Sequence, residues 1–166
     1  ARFGEVELWH QSRDSAYCVV PGVPDDASCY VAVARAPRVA SPAVVASLVI
    51  PVFNKCELTH ACLLALQKHT PLQGIPFEVI VVDNASWDKT SELLHRFQEH
   101  PDLNLRVLRN AINLGFAKAS NQGALVARGS VVVFLNNDTE VHEGWLAPLV
   151  DELQQHSDTG CVGARL

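Results

Sequence analysis

Most of the chain's capacity for chemistry lies in four polar clusters: Phe53-Asn54, Asp83-Asn84-Ala85-Ser86, Asn110 to Gly115, and Asn136-Asn137-Asp138. Asp138 is an oxygen ligand of the kind that Mg²⁺ and Mn²⁺ prefer, and those ions often bridge a carboxylate to phosphates. Taken alone, Asn-Asn-Asp is also ordinary turn chemistry. Asp83 to Ser86 could hydrogen-bond the edge of a base or a ribose, or cap a helix that starts near Asp88. Asn113-Leu114-Gly115 precede a helical segment that carries Lys118 and Asn121. An asparagine inside a helix is unfavourable by propensity and wants a partner, either a ligand or a backbone carbonyl. Each cluster has a bland structural explanation; their joint placement favours a ligand site.

Each cluster follows a short apolar run: Ser47–Pro51, Phe77–Val82, Leu103–Leu108 and Ser130–Leu135. The runs start about 26 to 30 residues apart, the length of one strand-helix-strand unit. The pattern predicts an α/β fold over residues 46–164, a doubly wound, mainly parallel sheet with helices on both faces. Ligands of such sheets sit outside the carboxyl ends of the strands, so all four clusters should open onto one crevice.

The intervening segments read as helices. Asn54 and Glu57 have capping-box spacing, Leu58, Ala61, Cys62 and Ala65 form an apolar stripe, and Thr70-Pro71 ends that helix. A second helix starts near Asp88, carries Leu93, Leu94 and Phe97, and stops before Pro101. A third runs from about Phe116 to Arg128 with Gly129 as its terminator, and a fourth from Gly144 to His156 buries Trp145, Leu149 and Leu153. Cys161–Ala164 reads as a last strand. Residues 1–43 differ, with prolines at 21, 24, 37 and 42 and strand-like alternation only from Tyr30 to Ala34. They are expected to be an N-terminal extension, an edge strand or the tail of a preceding segment.

A chain of 166 residues that is 48% hydrophobic and 19% charged is globular, with a core of its own. Its formal charge of −5 argues against nucleic acid as a partner and calls for a cation beside any anionic ligand. The chain starts at Ala1 and contains no Met, which reads as a piece of a longer protein. No secretory signal is visible, and the most apolar stretch, Ala43 to Phe53, is too short to span a bilayer. The cysteines at 18, 29, 56, 62 and 161 include no CxxC pair. They are expected to be buried, inert thiols in a reducing, cytoplasmic setting. The chain has no GxGxxG after its first strand, no GxxxxGK[ST] and no GxSxG. That argues against dinucleotide oxidoreductases, P-loop NTPases and α/β-hydrolases.

Val49–Asn54, Val81–Ser86, Asn113–Ala117 with Asn121, and Leu135–Thr139 occur in this order and at suitable separations. Together they resemble the donor-binding half of the large inverting glycosyltransferase family with the GT-A fold, the relatives of bacterial polysaccharide and rhamnosyl transferases. The resemblance covers about Ala46 to the end, and implies a nucleotide-sugar-binding part over 44–166. It implies that Pro51, Phe53 and Asn54 shape the pocket wall, and that Asp83 with Ser86 binds base or ribose. Asn113, Gly115 and Asn121 would line the nucleotide pocket. Asn136, Asn137 and Asp138 would form a DXD-like motif with Mg²⁺ or Mn²⁺ on Asp138. Asn136 stands where the first aspartate of DXD would be, and Asn-Asn-Asp variants resemble enzymes using deoxysugar donors such as dTDP-rhamnose.

The implied partners are a nucleotide-diphosphate sugar and, in the full-length protein, a glycan or lipid-linked acceptor reached at a peripheral membrane position. The family's carboxylate base is expected beyond Leu166. Glu140, Glu143, Asp151 and Glu152 read as solvated charges, so no catalytic residue is assigned and the isolated chain is expected to be inactive. The competing readings are a non-catalytic nucleotide-sugar-binding module and a doubly wound interaction domain.

Overall fold

The computed structural model describes residues 6–7, 31–35, 44–71 and 74–164. In chain order the strands are β1 (Val6–Glu7), β2 (Val31–Arg35), β3 (Ala46–Val52), β4 (Phe77–Asp83), β5 (Leu105–Arg109), β6 (Val131–Leu135) and β7 (Cys161–Ala164). The α-helices are α1 (Cys56–His69), α2 (Thr90–Gln98), α3 (Phe116–Leu125) and α4 (Leu146–Gln155). The sheet order is β1-β7-β2-β6-β3-β4-β5. The strands β6, β3, β4 and β5 are mutually parallel, while β2 runs antiparallel to both β6 and β7.

Continuous Val/Ile/Leu runs are what a strand needs when both of its faces are covered. In β3, Ala46, Leu48, Ile50 and Val52 face one core and Val49 the other; in β4, Val79 and Val81 oppose Ile80 and Val82. The first core takes Cys62, Leu63 and Leu66 of α1, Leu93, Leu94 and Phe97 of α2, Trp145 just before α4, and Leu149 and Leu153 within it. The second takes Ala119 and Ala124 of α3. Helices therefore cover both faces, as the sequence predicts. Each fully buried Leu or Ile contributes roughly 1.5–3 kcal/mol, so the two cores hold the sheet's crevice in place.

Pro51 lies inside β3 without breaking the ladder. Val52 accepts a hydrogen bond from Asn84 N–H on the β4 side, so the missing N–H of Pro51 points the other way. On that side β6 pairs only as far as Val49.

Several boundaries differ from expectation. Leu103 and Asn104 belong to a 3₁₀ turn and a left-handed residue (φ 44°), so β5 starts at Leu105. The buried face of α1 is Thr59, Cys62, Leu63 and Leu66, and Leu58 is exposed. The stripe is helical but rotated from the expected one. Asn54 does not cap α1, because Asn54 and Lys55 are both left-handed (φ 54° and 61°) and Asn54 Oδ1 accepts from Trp87 N–H. The Cys56 N–H is bonded instead by Asp88 Oδ2, reaching across from the next loop at 3.1 Å.

Gly129 does not terminate α3, which ends at Leu125. Beyond it the chain bonds to the sheet: Arg128 N–H to Glu78 Oε1 (2.7 Å), Gly129 N–H to Ser47 Oγ (2.9 Å), and Val126 O to Arg106 Nη1 (3.1 Å). Glu78, fully buried, also accepts from Ser47 Oγ and Arg106 Nη1, which satisfies its charge. Glycine is needed at 129 because a Cβ there would lie 2.9 Å from the backbone of Val45, Ala46 and Ser47. Among the described cysteines none is in a disulfide, and only Cys62 is buried; Cys56 and Cys161 are partly exposed. Cys18 and Cys29 lie outside the described residues.

Candidate functional site

All four polar clusters fall at the carboxyl ends of parallel strands: after Val52, at Asp83, after Arg109 and after Leu135. The first three are joined directly. Asn54 N–H donates to Ser86 Oγ at 2.8 Å, and Trp87 N–H donates back to Asn54 Oδ1 at 2.9 Å. Asn84 links onward, its Nδ2 donating to Gly115 O at 3.2 Å while its Oδ1 accepts from Leu114 N–H at 3.1 Å. The fourth cluster reaches the others through α1, which Asn137 touches at Thr59.

Asp83 and Arg109 end adjacent strands in register and form an ion pair of 2.8 Å. The second oxygen of Asp83 accepts from Ser86 N–H at 2.8 Å, and Arg109 Nη2 donates to Ser86 O at 2.9 Å. Asp83 is only 1% exposed, whereas the Arg109 side chain is 51% exposed. The charge-assisted bonds fix the carboxylate at the base of the rim. Asn110 and Gln122 exchange reciprocal amide bonds of 2.8 and 3.0 Å, and Asn110 also donates to Asn84 Oδ1 at 2.9 Å. This amide chain fastens the loop bearing Asn113 and Gly115 to β4 and α3.

Asn113 Oδ1 accepts from Gly115 N–H at 2.8 Å, and Gly115 itself has φ 81°, a conformation that favours glycine. Asn121 is partly buried on α3. Pro51 is buried, while Phe53, Trp87, Ile112 and Phe116 are exposed by 44%, 82%, 66% and 59% on the same loops. Large apolar side chains beside a few fixed polar groups are the usual lining of a small-molecule site. Asn136 is partly buried and Asp138 exposed on the turn after β6.

Among the described residues no group of three or more His, Cys, Asp or Glu could hold a metal ion by itself. An ion held by the exposed Asp138 carboxylate would have to take its other ligands from phosphate oxygens and water. Beside the rim, Asp88 has its pKa raised by burial, but hydrogen bonds from Thr90 and the Cys56 N–H outweigh that and hold it below the ordinary value. Burial first, and then the Asp88 and Glu57 carboxylates, push the Cys56 thiol up, so it is no thiolate nucleophile at neutral pH.

Sequence reasoning did not single out Arg109, Gln122 or Thr59. Arg109 carried one signal, a charge ending an apolar run 26 residues after Asp83. Its partner follows only from the parallel register.

The chain is similar to known proteins in sequence and fold. The glycosyl transferase family 2 model matches residues 47–166. The chain is 36% identical over 100 residues to the glycosyltransferase AglE of Haloferax volcanii, covering 60% of this chain and 32% of AglE. It superimposes on S. aureus TarS 1-349 in complex with UDP-GlcNAc with a TM-score of 0.60 and 26% identity, over 69% of this chain and 32% of that one. Against the mannosyltransferase PcManGT from Pyrobaculum calidifontis in complex with GDP-Man and Mn²⁺, the TM-score is 0.52 at 29% identity, over 61% of this chain and 31% of that one. The chain thus spans about a third of each of these three chains. With the match running from β3 through all four strand-end clusters, the chain belongs to glycosyl transferase family 2.

Proposed function

We propose that residues 44–166 form the part of a glycosyltransferase that binds a nucleotide-diphosphate sugar, with residues 1–43 as an extension to it. The main support is the seam at the carboxyl rim, where hydrogen bonds from Asn54 to Ser86 and from Asn84 to Gly115 bring three polar strand ends together. Related folds carry UDP-GlcNAc and GDP-Man.

In this reading Pro51, Phe53 and Asn54 wall the pocket, and Asp83, oriented by Arg109 and Ser86, accepts from the base or ribose. A carboxylate has about four lone-pair sites, so two engaged oxygens leave it further capacity to accept. Asn113, Gly115 and Asn121 line the nucleotide, and Asn136 and Asp138 meet the diphosphate end. A divalent ion at Asp138, when bound, supplies positive charge to the leaving diphosphate. In the whole protein an acceptor hydroxyl attacks the anomeric carbon as the bond to the diphosphate breaks, inverting that centre. The hydroxyl proton passes to a carboxylate base, which is assigned to none of the residues here. The acceptor is a glycan or a lipid-linked sugar.

Asn136 takes one carboxylate from the DXD-like motif, and the likeness of Asn-Asn-Asp to deoxysugar-using enzymes favours a deoxysugar nucleotide as the donor. Calorimetric titration with UDP, GDP and dTDP and their sugars, with and without Mn²⁺, tests the proposal. One nucleoside diphosphate should bind more tightly in Mn²⁺. Absence of binding by all of them overturns the donor site.

A further inference from the structure

The Asn136-Asn137-Asp138 turn is held from beneath by α1. Asn137 Nδ2 donates to Thr59 Oγ1 at 3.0 Å, and the Cys62 thiol donates to Asn136 O at 3.7 Å. Thr139 N–H closes the turn onto that same carbonyl at 3.2 Å. Thr59 and Cys62 are 0% and 1% exposed and lie three residues apart, on one face of the helix. α1 is also fixed at its first residue, where Asp88 takes the Cys56 N–H. One helix thus spans from the loop that follows Asp83 to the turn that carries Asp138. Of the three motif side chains, Asn137 turns back to the helix, Asn136 makes no hydrogen bond among the described residues, and Asp138 is exposed.

Resting on the donor-site reading above, we propose that Thr59 and Cys62 are positioning residues for the metal-binding turn, and that Asn137 is its tether to α1 rather than a contact to the donor. The buried Thr59 hydroxyl, which α1 places, is the anchor of the Asn137 side chain, and through it helps to set the angle at which Asp138 would meet an ion and its phosphates. Loss of the hydroxyl leaves the Asn137 amide without its partner and releases the turn. The nucleoside end of the crevice, held by the Asp83–Arg109 pair, is untouched.

The test uses the 166-residue chain and its Thr59→Val, Thr59→Ser, Asn137→Ala and Thr59→Val/Asn137→Ala variants. Hydrogen exchange of amides 136–139 is read without ligand. Calorimetry then uses whichever of UDP, GDP or dTDP binds the parent most tightly, with and without Mn²⁺, and the matching free nucleoside. Thr59→Val should speed exchange in the turn and reduce the Mn²⁺-dependent gain in diphosphate affinity roughly three- to thirtyfold. Nucleoside affinity should stay within about twofold. Thr59→Ser should restore both readouts, and the double variant should lose no more than either single one. If Thr59→Val does not melt cooperatively, Asn137→Ala, at a half-buried position, carries both readouts. An unchanged Mn²⁺-dependent gain in Thr59→Val, or in Asn137→Ala where that variant carries the test, overturns the proposal. Additive losses in the double variant also overturn it, because Asn137 would then touch the donor itself. A parent chain that binds no diphosphate removes the donor site, and the purpose of the tether with it.

Discussion

Among single residues, the carboxylates of the rim differ in what faces them. Asp138 is the exposed carboxylate of its turn, so Asp138→Ala should abolish the Mn²⁺-dependent part of diphosphate binding and leave the strand intact. Equal affinity in Mn²⁺ for parent and variant would remove Asp138 from the site. Asp83 is buried and engaged on both oxygens. Asp83→Asn should weaken free nucleoside and diphosphate by similar factors, whereas a loss confined to the diphosphate would move Asp83 to the phosphate end. Arg109→Ala strips the buried carboxylate of its charged partner and should destabilise the fold by about 1–3 kcal/mol in urea denaturation. Half of the Arg109 side chain is in water, so the loss stays below that of a fully buried pair. No change would mean that Ser86 N–H alone satisfies Asp83. Asp83 was legible in the sequence because a carboxylate ends an apolar run. Arg109 was not, because its partner is fixed by the β4–β5 register.

At the scale of elements, packing overrode local signals at both ends of the helices that flank the crevice. Asn54 and Glu57 have the right spacing for a capping box, yet α1 is capped from the next loop by Asp88. The folded Asp88 carboxyl lies below its ordinary value of 3.8. The stability it contributes is therefore full above the unfolded pKa and lost as the pH falls through the lowered folded value. Asp88→Ala should cost about 0.5–2 kcal/mol at neutral pH, and the gap to the parent should close in acid. A gap that persists unchanged in acid would show that the charge of Asp88 is not what matters. α3 stops three residues before the expected Arg128 because Glu78 and Ser47 capture the backbone N–H groups of Arg128 and Gly129. Gly123 inside α3 has a packing cause as well, since a Cβ there would collide with Val49 Cγ1. Gly123→Ala should therefore destabilise by about 1–3 kcal/mol from overpacking. Helix propensity alone predicts a gain of about 1 kcal/mol. Thermal melting decides the sign, and a raised melting temperature would mean that α3 lifts from the sheet without penalty.

For the whole molecule, the parallel direction of β3, β4, β5 and β6 was readable because each apolar run recurs at the length of a βαβ unit, but the position of β6 beside β3 was not. Nor was the place of β2. Val31–Arg35 pairs along the whole of β6 and also with β7, so an N-terminal strand lies within the sheet. Its short alternation carries no information about such distant partners. The same limit applies to the site: the four clusters were visible, while the amides and the ion pair that join them depend on register. In the reading proposed above, these four strand ends form one nucleotide site. Hydrogen exchange across the chain, with UDP, GDP or dTDP and Mn²⁺ added, tests it most directly. With the nucleotide that binds, protection should rise together at residues 53–54, 84–86, 113–115 and 136–138, while the Glu78 network at 126–129 stays unchanged. Protection confined to one loop, or centred on 126–129 at the opposite end of the sheet, would contradict it.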